Sequence, residues 1–203
     1  HTKFAPKDER NELVKLFDPQ SASFDMTFYV KDGLKNVKVE SAEYNFTVLP
    51  TVVTENSKSV TLRLPFKDGA SLDFIYTLYN QGDESRDYLV DFDVQFVGLA
   101  PLMASQTSVG IDWSNRSYQN ERSYKNENMY TSLYYRYPAE TGIEDLGVSE
   151  GNKSKSVSTS IDWVAFKQQY FTSAIIPQSV EFSYADLAYQ TLPEKSGYIK
   201  EYS

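Results

Sequence analysis

The sequence predicts an all-β protein built as a sandwich of antiparallel strands. Apolar and polar residues alternate over most of the chain, which is the pattern of strands with one buried face. Of the 203 residues, 16 are Tyr and 12 are Phe, and this aromatic content favours strands. Turns rich in Gly, Asp, Asn and Pro separate the alternating stretches at short intervals, as they do in antiparallel sandwiches.

The amino-terminal half supplies most of the predicted strands. Residues 1–12 are polar and charged, and we interpret them as a loose lead-in. Strands are predicted at 13–17, 24–30, 37–39, 44–48, 60–66, 72–78 and 88–96. Two Lys-Asp-Gly turns, at 31–33 and 67–69, interrupt this series, and Gly33 supplies the positive φ that such a turn requires.

The carboxyl-terminal half alternates less regularly. Strands are predicted at 109–113, 133–137, 180–184, 187–189 and 198–203, with a short one beginning near Val157. Residues 114–130 are polar and predict a long loop or a solvated edge. Residues 140–155 are polar and contain Gly, so they predict a mobile loop.

One segment, residues 161–177, departs from the alternation. Asp162 can accept hydrogen bonds from the free backbone N–H groups of a first helical turn, and Pro177 would end that helix. The sequence therefore predicts an amphipathic helix over 161–177, which either covers a sheet or docks on a partner. Four apolar residues share one stripe of that helix, at i, i+3, i+7 and i+11: Trp163, Phe166, Tyr170 and Ala174.

Composition excludes several classes of function. The net charge of −8 argues against a nucleic-acid partner. Cysteine is absent, so disulfides, thiolate nucleophiles and cysteine zinc sites are excluded. The only histidine is His1, at the terminus, which removes Ser-His-Asp catalysis and histidine-ligated metals. No run approaches the roughly 20 apolar residues of a membrane-spanning helix.

Three sets of residues could carry other chemistry, and each has a plainer structural interpretation. Asp91 and Asp93 could bind Ca²⁺ or act as an acid/base pair, although they fit the solvated face of a strand. The pairs Asp112-Trp113 and Asp162-Trp163 could bind a sugar, although a buried Trp beside a polar turn fits equally. A tyrosine cluster could stack on a ligand, or form core and amphipathic cover. It comprises Tyr130, Tyr134, Tyr135 and Tyr137.

Residues 162–171, followed by Ala174 and Pro177, resemble the segment that closes the large periplasmic domain of the YidC family of membrane protein insertases. The matching pattern is Trp163, then Gln169-Tyr170-Phe171, then Pro177. Shorter matches over most of the chain support it: Leu16-Phe17-Asp18 with Ser23-Phe24; Asp112-Trp113, Glu121 and Tyr134-Tyr135-Arg136; and Gly197-Tyr198-Ile199-Lys200.

The resemblance implies a β-supersandwich related to the galactose mutarotase fold, formed by residues 1–203 as a single periplasmic domain. It implies a location on the periplasmic side of the inner membrane of a Gram-negative bacterium, with the membrane spans outside this chain. The implied function is non-catalytic: to assist a membrane protein insertase and chaperone. The implied partners are the Sec translocon, SecDF and, through the spans, nascent membrane proteins. No cofactor, metal or tightly bound small molecule is expected.

The resemblance and the helix pattern together suggest site residues within 161–177. Trp163, Phe166, Tyr170 and Phe171 would anchor the segment, and a double alanine change at Tyr170 and Phe171 would be costly if both are buried. A carbohydrate-binding module is the main rival hypothesis, and a carboxylate-based mutarotase or lyase is the second. The polar docking flank would comprise Lys167, Gln168 and Gln169, with Pro177 at the end of the segment.

Overall fold

The computed structural model describes residues 17–80, 88–104, 108–148 and 151–203. Across these ranges the backbone forms fifteen strands with antiparallel pairing and one α-helix of five residues. The predicted all-β, antiparallel fold class is therefore confirmed. The predicted lead-in at 1–12, and most of the strand predicted at 13–17, lie outside the described residues. No helix in the described ranges has the length and apolar character needed to cross a membrane.

The chain divides into two compact units. The 25–111 unit comprises Asp25–Ile111, and the 112–203 unit comprises Asp112–Ser203 together with His1–Phe24. That residues 1–203 form a single domain stays a prediction.

The 25–111 unit contains a β-hairpin and a five-stranded sheet. Its strands are β1 (Ser23–Asp32), β2 (Lys35–Glu40), β3 (Thr47–Val48), β4 (Val52–Val53), β5 (Ser57–Pro65), β6 (Ser71–Tyr79) and β7 (Asp91–Val97), with 3₁₀ turns at Ser41–Glu43 and Lys67–Gly69. β1 pairs with β2, and the sheet has the order β3-β5-β6-β7, with β4 also on β5. Gly33 and Gly69 have positive φ, as the Lys-Asp-Gly turns predict.

The 112–203 unit is a sandwich to which each of two sheets contributes four strands. Its elements are β8 (Gly110–Tyr118), α1 (Tyr124–Asn128), β9 (Ser132–Arg136), β10 (Glu144–Asp145), β11 (Asn152–Val157), β12 (Trp163–Lys167), β13 (Thr172–Ile175), β14 (Ala185–Thr191) and β15 (Tyr198–Tyr202). One sheet has the order β11-β14-β15-β8, and the other has the order β10-β9-β12-β13. Both sheets contribute to one apolar core, whose buried members are Leu133, Tyr135, Val157, Ile161, Val164, Phe166, Leu187, Tyr189 and Tyr202.

The predicted helix at 161–177 is wrong. This segment forms β12, a turn and β13, which pair with each other as an antiparallel hairpin. A strand has a side-chain period of two, so Trp163 and Phe166 point to opposite faces instead of sharing one stripe. The aromatic residues of the segment therefore do not form a single surface.

Three further predictions from the carboxyl-terminal half need correction. Within the polar stretch 114–130, β8 continues to Tyr118 and α1 follows, with Ser123 Oγ capping the helix by accepting from the Asn126 N–H at 3.2 Å. Within the predicted loop 140–155, β11 begins at Asn152 and pairs with β14. The predicted strand at 180–184 is only an isolated bridge between Phe182 and Ile161.

Candidate docking site

The hairpin of β12 and β13 contains all the predicted site residues except Pro177, which follows it. Gln168 N–H donates to the Phe171 carbonyl at 2.7 Å, so Gln169 and Tyr170 form a two-residue connection at the tip. β12 also pairs with β9, which places it in the interior of its sheet. β13 lies at the edge of that sheet.

The inner face of the hairpin is anchored by a stack of three aromatic rings. Phe166 is 3% exposed, and its ring lies between those of Trp113 and Tyr202, with centroids 3.8 Å and 4.6 Å away. Tyr202 also donates its hydroxyl to the Lys167 carbonyl at 3.2 Å. Burial raises the pKa of Tyr202, so the hydroxyl keeps its proton and remains a donor. The stack joins β12 to strands of the opposite sheet.

Gln168 extends this anchor with a polar contact. The residue is buried, and its side-chain oxygen accepts a hydrogen bond from the Asn120 amide at 3.1 Å. Gln168 was predicted to lie on a polar docking flank, but this burial makes it part of the support of the hairpin. Leaving the side-chain carbonyl of Gln168 buried without a hydrogen bond would lower the free energy of unfolding by about 1–3 kcal/mol.

The outer face of the hairpin is half-buried and amphipathic. We define it by the residues that alternate with Phe166, together with their neighbours across the sheet: Tyr134, Trp163, Ala165, Lys167, Thr172 and Ala174. The Lys167 ammonium donates to the carbonyls of Tyr130 and Gln168 at 3.1 and 3.3 Å and lies 5.9 Å from the Tyr134 ring centroid. The positive charge of Lys167 is therefore already bound by groups of the same chain. The Tyr134 ring and the aliphatic part of the Lys167 side chain form the accessible surface.

The tip of the hairpin carries one half-buried residue, Gln169, and one exposed residue, Tyr170. Tyr170 is 56% exposed, and its hydroxyl accepts from the Gln169 side-chain amide at 3.0 Å. Phe171 and Pro177 are half-buried. The structure thus separates the predicted site residues into a buried anchor, Phe166 and Gln168, and a group that is half-buried or exposed. In that group Tyr170 is exposed, and the half-buried members are Trp163, Lys167, Gln169, Phe171 and Pro177.

A buried polar cluster near the hairpin was not predicted from the sequence. The Glu127 carboxylate is buried and accepts from the backbone N–H groups of Asn120 and Glu121 at 2.9 and 3.0 Å. Burial raises its pKa above the ordinary value of 4.5, an effect that these two hydrogen bonds oppose. Lys200 is fully buried, with its ammonium 2.5 Å from the Asn128 side-chain oxygen. Its position two residues before Tyr202, on the same strand face, was the only sequence signal for this burial.

Three of the residues considered for sugar binding, Asp162, Trp113 and Tyr135, are engaged within the fold. Asp162 accepts from Arg136 Nε and Nη2 at 2.9 and 2.5 Å. The Trp113 ring is stacked on Phe166, and Tyr135 is fully buried. No observation therefore favours a carbohydrate-binding module over a docking domain.

The acidic pair on β7 does not form an enclosed site. Asp93 is exposed on the face that Asp91 shares, opposite to the apolar face of the sheet. Two surface depressions, of about 360 and 410 Å³, lie in the 112–203 unit, and neither aspartate lines them. No group of three potential metal ligands occurs in the described part of the chain.

Comparison with known proteins places the chain among insertase domains. The family model of the YidC periplasmic domain matches residues 2–203. The chain is 34% identical over 191 residues to the membrane protein insertase YidC of Bacteroides fragilis, an alignment that covers 94% of the chain and 28% of the relative. It is 31% identical to the membrane protein insertase YidC of Phocaeicola vulgatus, again over 94% of the chain and 28% of the relative. It is 32% identical to the membrane protein insertase YidC of Porphyromonas gingivalis over 73% of the chain and 23% of the relative.

These matches define the chain as a periplasmic domain of the insertase class. It belongs to the YidC periplasmic domain family, so the resemblance carried by Trp163, Gln169-Tyr170-Phe171 and Pro177 is confirmed. The chain spans about 28% of the length of the curated relatives from Bacteroides fragilis and Phocaeicola vulgatus.

Proposed function

We propose that this chain is a non-catalytic docking domain on the periplasmic side of the inner membrane, within an insertase and chaperone that assists nascent membrane proteins. The names of the relatives, membrane protein insertase YidC, support this role. Insertion itself would reside in parts of the protein outside this chain. The partners we assign to the docking domain are the Sec translocon and SecDF.

The observation that carries the docking role is the division of the hairpin into an anchored and an accessible side. Phe166 and Gln168 hold the hairpin on the sandwich. Trp163 and Tyr170 offer aromatic surface on a rigid support, and such amphipathic rings are frequent at protein interfaces. A rigid support lowers the entropy lost on binding.

The docking role predicts a partner defect from a change at the hairpin tip. Tyr170→Ala in the whole insertase is expected to reduce the amount of SecDF that co-purifies with it, because an exposed aromatic contact is lost. Insertase abundance is expected to remain unchanged, because Tyr170 is 56% exposed and contributes little to stability. The measurement is quantitative co-purification from cells, with the insertase level as reference.

Tyr184→Ala is the matched control, since Tyr184 lies outside the hairpin and is 61% exposed. The Tyr184→Ala insertase should co-purify with as much SecDF as the insertase without a substitution. Equal losses in both variants, or unchanged co-purification in Tyr170→Ala, would rule out docking through the tip.

A further inference from the structure

Among the strands of the described residues, every sheet edge but one is protected. Exposed edges invite pairing with other chains, and natural proteins block them with charges, Pro or very short strands. β3 and β4 are two-residue strands separated by Pro50, and β10 consists only of Glu144 and Asp145. The remaining protected edges carry charged residues: Lys35, Lys38 and Glu40 on β2, Asp91 and Asp93 on β7, and Lys153 and Lys155 on β11.

β13 is the exception among the described edges. It contains no Pro, and residues 168–180 include no Asp, Glu, Lys or Arg. Its exposed side chains are small or apolar: Thr172 and Ala174 on the strand, and Ile176, 52% exposed, just beyond it. In a chain with net charge −8, this edge therefore lacks the charges that block pairing at the other described edges.

The register shows which backbone groups this edge offers. The hydrogen bond between Gln168 and Phe171 makes those two residues a hydrogen-bonded pair of the hairpin. Hydrogen-bonded and non-hydrogen-bonded pairs alternate along antiparallel strands. Thr172 and Ala174 consequently occupy non-hydrogen-bonded pairs, with Lys167 and Ala165, and their N–H and C=O groups point away from β12. No strand of the described ranges pairs with β13 on that side.

We propose that β13 binds an extended segment of a partner polypeptide by strand addition. The segment would be uncharged over four to six residues, to match the edge, and flanked by Lys or Arg, because the chain is acidic. A second copy fits less well, because two copies with a net charge of −8 each repel one another. The inference deepens the proposed docking function and rests on it for the partner's identity.

Strand addition can be tested with a labelled peptide. A capped peptide with the sequence Lys-Lys-Thr-Val-Thr-Ile-Thr-Val-Lys-Lys is titrated with the 203-residue chain, and fluorescence anisotropy is measured. Saturable binding is expected, and a counterpart with Glu in place of every Lys should bind more weakly. Ala174→Pro should weaken binding at least about tenfold, because it removes an outward N–H that β12 does not use.

Ala174→Val is the matched control, since it keeps the N–H and should bind within about twofold of the unchanged chain. Ala174→Lys should weaken binding as Ala174→Pro does, by restoring a charge to the edge. Circular dichroism verifies folding of each variant. Absent peptide binding, or equal binding by the Pro and Val variants, would overturn strand addition, and so would a dimer abolished by Ala174→Pro. If strand addition were overturned in this way but Tyr170→Ala still reduced the co-purification of SecDF, the docking function would stand without strand addition.

Discussion

Replacing Phe166 with alanine is expected to lower the free energy of unfolding by about 3–5 kcal/mol. The ring is 3% exposed and lies between Trp113 and Tyr202, so its removal leaves a cavity that two large neighbours cannot fill without losing their own contacts. The same change releases β12 from the opposite sheet. Urea denaturation followed by tryptophan fluorescence measures this loss directly, because Trp113 is part of the stack.

Tyr170→Ala provides the comparison for Phe166→Ala. The Tyr170 side chain is 56% exposed, so its removal should change the free energy of unfolding by no more than about 0.5 kcal/mol. The expectation that Tyr170 and Phe171 are both buried anchors is therefore wrong for Tyr170. A Phe166→Ala variant as stable as Tyr170→Ala would contradict the anchored hairpin.

Replacing Lys200 with alanine is expected to cost about 3–5 kcal/mol. The side chain is fully buried, its ammonium contacts the Asn128 oxygen at 2.5 Å, and it lies 4.5 Å from the Tyr189 ring centroid. Alanine removes the hydrogen bond and the four-carbon stem together. Thermal and urea denaturation of the variant give the loss.

Lys200→Met separates the two contributions. Methionine retains most of the volume and removes only the ammonium, whose burial is itself unfavourable. The methionine variant should therefore be more stable than Lys200→Ala by about 2 kcal/mol. Equal stability of the two variants would show that the stem of Lys200 does not fill the core as the structure indicates.

The alternation of apolar and polar residues predicted most of the strands, because most strands have one buried face. In β1, Met26 and Phe28 are buried as their pattern indicates, and β5, β6 and β7 pair in register where period-two stretches occur. The all-β fold class follows from these strands alone. The pattern is informative wherever one face of a strand meets water.

β12 was mistaken for a helix because alternation disappears in a strand buried on both faces. Val164, Ala165 and Phe166 are successive residues and all are buried. Such an apolar run cannot be distinguished from a helix by periodicity, and the spacing of Trp163 and Phe166 then matched a helical stripe by chance. The β-branched residues Thr172 and Ile175 on β13, with Ile176 just beyond it, were the contrary signal, since such residues favour strands.

The docking role of residues 161–177 stays a prediction, while their predicted helical geometry is wrong. The resemblance seen at Trp163, Gln169-Tyr170-Phe171 and Pro177 rests on residue identity, which does not depend on whether the segment is a helix or a hairpin, and the family it indicated matches residues 2–203. The division between anchor and accessible residues depends on pairing with β9 and on ring contacts from Trp113 and Tyr202. Those contacts come from residues distant in sequence, so no local pattern could predict them.

Site-specific photo-crosslinking in the whole insertase tests the central claim, that one side of the hairpin is anchored and the other receives a partner. A photoreactive amino acid is placed in turn at Tyr170, Ala174 and, as the exposed position outside the hairpin, Tyr184. The hairpin account predicts adducts with a Sec component from Tyr170 and Ala174 and none from Tyr184. Adducts from Tyr184 alone, or from all three positions equally, would contradict it.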